Sequence, residues 1–312
     1  MEFRQLRFFL AVAEEQNFTR AAERIGMAQP PLSQQIMTLE RQLQAPLFKR
    51  SRRKVELTEA GEALLVHARR ILSAVGDARD AVQAASAGRS GTIKLGAMYS
   101  VVHSLVPAVL RTSREMDPGL TIEVQELTVA QQHRALNEGA IDLAIIRDRV
   151  DEPHLSSLQL FEEPFVVALP CAMNLKKDES LKAAWLFRQS YVSMSSKCNP
   201  GYAAQLRQFA VSMGGQFDVV QEASDMHTLL CLVAAGIGIA IVPFSVARTP
   251  INDVAYHRIT SPAPSTWVSL AWRKDNGSPV LPSLISRIEA LAAAERDMRL
   301  HLLAADERQA AA

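Results

Sequence analysis

From Thr58 to about Ala87 the apolar residues step by four and three in alternation, as Leu64, Ala68, Ile71, Val75, Ala78, Val82 and Ala85. No other feature restricts the fold as strongly, because it draws one apolar stripe along a long helix that cannot bury the stripe alone. Thr58 is a suitable cap, and Glu59 and Glu62 occupy the first turn, where the helix dipole favours negative charge. Leu64, Ala68, Ile71, Val75, Ala78 and Val82 are therefore expected to pair with a second copy of the chain; packing on their own domain is the alternative. The helix gives way to Ala87-Gly88-Arg89-Ser90-Gly91, a small and polar hinge. A chain of 312 residues is so divided into a head, a helix and a long body, with length for more than one core.

The head reads as helical and basic. Phe3, Leu6, Phe9, Leu10 and Ala13 share one face of a first helix. Phe18, Ala21, Ala22 and Ile25 line a second, with Asn17 to cap it and Gly26 to end it. Pro30 and Pro31 fit the first turn of a third helix, where a missing N–H costs little. There Leu32, Ile36, Leu39 and Leu43 form a core stripe, and the opposite face carries Ser33, Gln34, Met37, Thr38 and Arg41, amides and hydroxyls suited to base edges. Lys49-Arg50-Ser51-Arg52-Arg53-Lys54 places five cations in six residues before the strand-like Val55-Glu56-Leu57, which reads as a hairpin wing. A merely solvated polar face is the alternative for both surfaces. Net charge is only +1, yet residues 1–58 carry +4 and the remainder −3, as expected when one domain alone meets an anionic polymer.

Beyond the hinge the period changes. A strand over Thr92–Gly96, a helix near Val101–Met116, a strand over Thr121–Leu127, a helix over Val129–Asn137 and a strand over Ile141–Ile146 form one alternating set. A second set takes strands Phe165–Leu169, Tyr191–Met194, Phe217–Gln221 and Ile239–Val242, with helices Tyr202–Met213 and Met226–Ala235. Strand Trp267–Trp272 and a helix from about Leu281 to Leu303 follow, then an Ala-rich tail expected to fray. Such alternation implies parallel sheet in two α/β lobes, with ligands at the carboxyl ends of the strands. Arg147 directly ends a buried strand, where its guanidinium could hold a carboxylate; an internal ion pair with Asp148 or Glu163 competes with that role.

Composition excludes several classes. Apolar residues make up 48% and charged residues 21%, as in soluble globular proteins. The longest apolar stretch, Leu229 to Phe244, is shorter than the ~20 residues that span a bilayer and contains Gly236, Gly238 and Pro243, so it reads as a buried helix and strand. The amphipathic opening has no secretory leader's apolar core, and a cytoplasmic location is expected. Cys171, Cys198 and Cys231 read as reduced packing residues. Catalysis finds little support: Gly236-Ile237-Gly238 lacks the third glycine of a dinucleotide turn, the histidines show no metal-ligand spacing with a cysteine, and no Gly-x-Ser-x-Gly occurs. No enzyme activity, cofactor or metal is expected.

Phe18-Thr19-Arg20-Ala21-Ala22, Ala28-Gln29-Pro30-Pro31-Leu32-Ser33, Leu39-Glu40, Pro46-Leu47-Phe48-Lys49-Arg50 and Leu57-Thr58-Glu59-Ala60-Gly61 together resemble the N-terminal signature of LysR-type transcriptional regulators. Residues 136–145 and 232–243 resemble the same family, and the opening Met1-Glu2-Phe3-Arg4 is most similar to its aromatic-acid catabolism subgroup. The resemblance implies an α/β fold: a winged helix-turn-helix over 1–58, a linker helix and hinge over 59–90, and a two-lobed, periplasmic-binding-protein-like effector domain over 91–303 with a tail over 304–312. Lobe I would comprise about 91–161 and 268–303, and lobe II about 162–267. It implies that Gln29, Pro30, Pro31, Ser33, Gln34 and Thr38 meet the major groove of double-stranded DNA, with Arg50, Arg52 and Arg53 on phosphates or in the minor groove. Ser100, Thr128, Arg147 and Tyr202 would line the pocket of a small-molecule effector, an aromatic or other small carboxylic acid, although Val129 stands where a small polar residue would be usual. A homodimer or homotetramer would bend DNA in response, with RNA polymerase as a further partner and no membrane. A small-molecule binding protein without specific DNA recognition is the competing function.

Overall fold

The computed structural model describes residues 1–310 apart from 51–54, 87–90, 148–149, 151, 176–180, 197–198, 249–250 and 261, with side chains other than those of 50, 80–81, 83–85, 200, 295 and 297–310. The chain divides into two compact units, Met1–Gly88 with Arg134–Ala140, and Arg89–His133 with Ile141–Ala312.

In the first unit α1 (Phe3–Glu15), α2 (Phe18–Arg24) and α3 (Gln29–Leu43) precede an antiparallel ribbon of β1 (Phe48–Arg50) and β2 (Val55–Leu57), and α4 (Glu59–Ser86) follows. Most of the apolar spacing does what it predicts: Leu6, Phe9, Ala21, Ala22, Leu32, Ile36 and Leu39 share one core, which Phe8, Ala11 and Val12 join, whereas Phe3, expected on the same face, is 58% exposed at the first position of α1. Phe48 closes it, its ring centroid 5.4 Å from that of Phe9 and 5.8 Å from that of Phe18. Leu43, expected in the same stripe, is 38% exposed, because α3 ends there on a left-handed Gln44. Asn17 caps α2, its Oδ1 accepting from the N–H groups of Thr19 at 2.8 Å and Arg20 at 3.1 Å. Asn17→Ala should cost about 1 kcal/mol of stability, read as a lowered urea midpoint by circular dichroism of the full chain.

The long helix starts inside this unit. Thr58 Oγ1 accepts from the Gly61 N–H at 3.0 Å, and Gly61 passes so close to the ribbon that a Cβ would lie 2.2 Å from the Leu47 carbonyl oxygen. Ala68 is fully buried in the head core, with Leu64 and Ile71 half-buried against it. Ala68, expected to pair with a second chain, is thus covered by its own head, while Leu64 and Ile71 pack on that core and keep part of their surface. Val75, Ala78 and Val82 remain exposed, Val82 by 71%. The expected hinge at 87–90 lies outside the described residues.

The second unit runs β3 (Gly91–Ala97), α5 (Tyr99–Val102), α6 (Leu105–Met116), β4 (Leu120–Glu126), α7 (Val129–Glu138), β5 (Leu143–Arg147) and β6 (Leu155–Pro170). It continues with α8 (Ala183–Leu186), β7 (Ser190–Met194), α9 (Pro200–Ser212), β8 (Asp218–Ala223), α10 (Met226–Ala234), β9 (Ala240–Pro243) and α11 (Phe244–Ala247). β10 (Val254–Arg258), β11 (Ser265–Arg273) and α12 (Leu281–Ala310) follow; α12 carries helix past Ala304, where the sequence reading placed a frayed tail. The strands lie in the order β10-β6-β11-β5-β3-β4, with β9 also on β6, while β7 and β8 form a parallel pair bridged to the β9 end at Tyr191 and Ile239.

The sheet is mixed rather than parallel throughout. β3 pairs with β4 and β5 in parallel, as strand–helix alternation requires, but β6, β9, β10 and β11 join antiparallel. The cause is β6, which pairs with β11 as far as Pro164 and with β9 and β10 from Phe165 onward. It therefore serves two cores. One holds Ile93, Leu95, Leu143, Ile145, Leu270 and Ile288, the other Val167, Leu169, Val192, Leu229 and Ile241. Gly238 marks the tight passage from α10 into β9, where a Cβ would stand 2.5 Å from the Ser190 carbonyl oxygen. Cys171 and Cys231 are exposed, which corrects their reading as packing residues, and Cys198 lies outside the described residues. Among the described residues no helix is long and apolar enough to cross a membrane, and no group of three or more His, Cys, Asp or Glu could hold a metal ion.

Candidate nucleic-acid interface and ligand cavity

On the head, the buried stripe of α3 fixes what its other face presents. Gln29, Pro30, Pro31 and Gln34 are exposed at its N-terminal end, with Ser33 half-buried beside them. Thr38 is half-buried and already engaged: its hydroxyl donates to the Gln34 carbonyl at 2.9 Å and accepts from Arg41 Nη2 at 3.1 Å. Met37 is also on this face, 51% exposed. The ribbon is tied to α3 through Glu40, whose Oε1 accepts from the Leu47 N–H at 2.8 Å and the Phe48 N–H at 3.3 Å. Of the wing cations, Arg52 and Arg53 lie outside the described residues, as does the side chain of Arg50; Lys49 is exposed on β1.

In the second unit Ser100, Thr128, Arg147 and Tyr202 all line one cavity of about 260 Å³. The carboxyl ends of β3, β4, β5, β7, β8 and β9 supply its wall, as expected for an α/β domain. Met98, Leu127, Val129, Met194 and Met226 make much of that wall apolar.

Its polar side chains bond to one another through one nitrogen of Arg147, while Arg147 Nη1 is buried with no hydrogen-bond partner among the described residues. Arg147 Nη2 donates to Ser100 Oγ and to Glu163 Oε2, each at 2.8 Å. Glu163 is fully buried on β6, and its Oε1 accepts from the Ser245 N–H at 2.6 Å. Of the two counter-ions weighed for Arg147, Glu163 is the one found, and Asp148 lies outside the described residues. Ser100 lies in the first turn of the four-residue α5, directly after β3, and its hydroxyl accepts from the guanidinium.

Tyr202 presents its ring rather than its hydroxyl. The hydroxyl donates to the Ile241 carbonyl, and the ring meets Phe165 edge-on at 5.7 Å. Burial pushes its phenol well above the ordinary range, and the neighbouring Tyr191 adds to that, so the group stays a proton donor.

Three helices begin at this wall, and each is capped by its own side chain. Thr128 Oγ1 accepts from the Gln131 N–H at 3.3 Å on α7, and Asn199 Oδ1 from the Tyr202 N–H at 3.3 Å on α9. Asp225 accepts from the Thr228 N–H at 2.8 Å on α10, and from the hydroxyls of Thr228 and Ser224 at 2.8 and 2.9 Å. The bond from the Thr228 N–H is the main cause that holds the Asp225 carboxyl below its usual range. The cap is therefore complete above the ordinary carboxylate pKa and is lost only as pH falls through the lowered native value. The sequence reading missed Asn199 and Asp225, although a cap residue directly before a helical run was the signal to find them.

Comparison with known proteins covers the whole of this architecture. Residues 3–62 match the model "Bacterial regulatory helix-turn-helix protein, lysR family", and residues 86–293 match "LysR substrate binding domain". The HTH-type transcriptional regulator AlsR of Bacillus subtilis is 34% identical over 91% of this chain and 94% of that protein. The Hca operon transcriptional activator HcaR of Escherichia coli is 33% identical over 93% of this chain and 97% of that protein. Among solved structures, full-length CbnR, a regulator crystallised with its target DNA, superposes with a TM-score of 0.74 at 28% identity, covering 93% of this chain and all of that one.

Proposed function

The chain belongs to the LysR family of bacterial helix-turn-helix regulators, and on that premise we propose that α3 reads base edges in the major groove while the cavity of the second unit admits the controlling small molecule. It is a DNA-binding transcriptional regulator with a C-terminal effector-binding domain. The observation that carries the reading of α3 is its two-sidedness: Leu32, Ile36 and Leu39 are wholly buried, so the helix presents Gln29, Ser33 and Gln34 from a rigid base. Arg50, Arg52 and Arg53 would meet phosphates or the minor groove. A binding protein without DNA recognition is not favoured, because the head itself matches the helix-turn-helix family.

In this proposal the chains assemble as dimers and tetramers, Val75, Ala78 and Val82 of α4 lying in the contact. A ligand that binds the two lobes differently in two assemblies shifts the population and with it the bend of the DNA, at roughly 1–6 kcal/mol of elastic cost. Transcription, with RNA polymerase as partner in the cytoplasm, follows the bend. The relatives come from several subgroups, so the aromatic-acid subgroup rests on the opening residues alone.

The test is selection of duplexes from a random library by the full chain near physiological salt. A dyad-symmetric site should be enriched, and Gln34→Ala should weaken its binding by about 1–3 kcal/mol while relaxing the preference at one base position. Binding that is weak, salt-dependent and indifferent to sequence would refute the reading of α3.

A further inference from the structure

We propose that the cavity of the second unit takes a zwitterion, a small α-amino acid with an apolar side chain, its carboxylate on Arg147 and its ammonium group on Glu126. The proposal rests on the reading of that cavity as the effector site. It keeps the carboxylate expected from the sequence and adds a cationic group beside it.

The unmet bonding capacity of the wall is the first argument. Arg147 is buried, and its Nη2 serves Ser100 and Glu163 while Nη1 has no partner among the described residues. A charged donor withdrawn from water and left unsatisfied is costly, and a carboxylate from outside the chain relieves it. Nη1 shares one planar fork with Nη2, which faces Ser100, another residue of the wall. The Ser100 hydroxyl accepts from that fork and so has its own proton to donate to the same carboxylate.

The opposite charge lies on the same wall. Glu126, at the end of β4, takes part in no hydrogen bond or ion pair among the described residues. Burial, and after it the Glu126 charge, push up the phenol of Tyr99, a further wall residue, so the field of this carboxylate is felt in the cavity. Asp225 adds to it. Its Oδ2 accepts from the hydroxyls of Thr228 and Ser224, but its Oδ1 accepts only from the Thr228 N–H, which leaves room for one more donor. Arg147 is the only cationic side chain among the described residues of the wall. A dicarboxylate would therefore bring a second charge that meets no cation, and a neutral molecule would leave Arg147 and Glu126 both unmatched. A ligand with one charge of each sign answers both.

The sheet register sets the two charges at a usable distance. Ala97 of β3 lies level with Glu126 of β4 on one side and with Ile145 of β5 on the other, and Arg147 stands two residues beyond Ile145. Two strand spacings separate β4 from β5, about 10 Å. Side chains as long as those of Arg and Glu close much of that interval from both ends, which suits two charged groups carried on one carbon. The rest of the wall is apolar, with Met98, Leu127, Val129, Met194 and Met226. The 260 Å³ available compares with about 150 Å³ for a cavity that binds benzene, so side chains the size of those of leucine and phenylalanine are the ones to try.

The experiment is calorimetric titration of the full chain near neutral pH with L-leucine and L-phenylalanine, and with 4-methylpentanoate and 3-phenylpropanoate, which lack only the amino group. At least one amino acid should bind saturably, about tenfold or more tightly than its deaminated analogue. Glu126 is exposed and makes no hydrogen bond, so Glu126→Gln should fold normally; it should weaken that amino acid by about fivefold and not weaken the analogue. Arg147→Met with Glu163→Leu, which removes the buried pair together, should weaken both by about tenfold or more. Equal or tighter binding of the deaminated acid overturns the proposal, as does an amino-acid affinity indifferent to Glu126→Gln, or saturable binding of none of the four. Val129→Trp, which fills the cavity, separates the proposal from the reading beneath it. If the deaminated acid is preferred and Val129→Trp abolishes its binding, the cavity is the effector site and only the chemistry of the ligand is wrong. If probes bind unchanged in Val129→Trp, the site lies elsewhere and both readings fall.

Discussion

Glu163→Ala should lower the unfolding free energy of the second unit by about 3–5 kcal/mol, the usual result of stranding a buried charge. Arg147 is 7% exposed, and without Glu163 its guanidinium would keep only the Ser100 hydroxyl, while the Ser245 N–H would lose its acceptor as well. Trp185, Trp267 and Trp272 all belong to this unit, so its urea midpoint can be followed by their fluorescence. Replacing both partners, Arg147→Met with Glu163→Leu, should restore much of the loss, because a pair of apolar residues carries no desolvation cost. A loss below about 1 kcal/mol for Glu163→Ala would mean that water reaches the guanidinium.

A change of similar size in the head should have a different readout. Phe9 is fully buried between the helices and packs on Phe48, so Phe9→Ala should cost about 3–5 kcal/mol of the first unit's stability. Affinity for the selected duplex should fall by well over tenfold as α3 loses its base, whereas the tryptophan transition should hardly move, since no tryptophan and none of the second unit's core lies in the head. A tryptophan midpoint that falls with Phe9→Ala would show that the two units unfold as one.

These two residues also mark how far the sequence could be read. Phe9 was legible because helical periodicity names the buried face directly, and most of the head core followed from the same rule; Phe3 and Leu43, each at a helix end, are exposed instead, and Phe8, Ala11 and Val12 are buried without having been read as core. Arg147 was legible as the residue that ends a run of buried aliphatics. The strand that carries its partner was not, for Leu155–Pro164 mixes buried and exposed residues, and the pairing of β6 with β11 slips near Leu160, which interrupts the alternation. The destination of the Arg147 charge was therefore left between two acidic residues. The stripe on α4 was visible, but periodicity reports only that a face is apolar, not what covers it. A residue as small as Ala68 fits a head core as readily as a partner helix.

That division of α4 has a consequence for how the protein responds to dilution. Everything the head needs for its interior is supplied within one copy, down to Ala68 and Ile71, whereas the apolar residues further along the helix contribute nothing to it. Folding of the head is then a unimolecular equilibrium, and its midpoint should be the same at any protein concentration. Whatever covers Val75, Ala78 and Val82 answers to mass action alone. Copies could part and re-form as their number in a cell rises and falls, and each would keep its DNA-facing surface intact between partners.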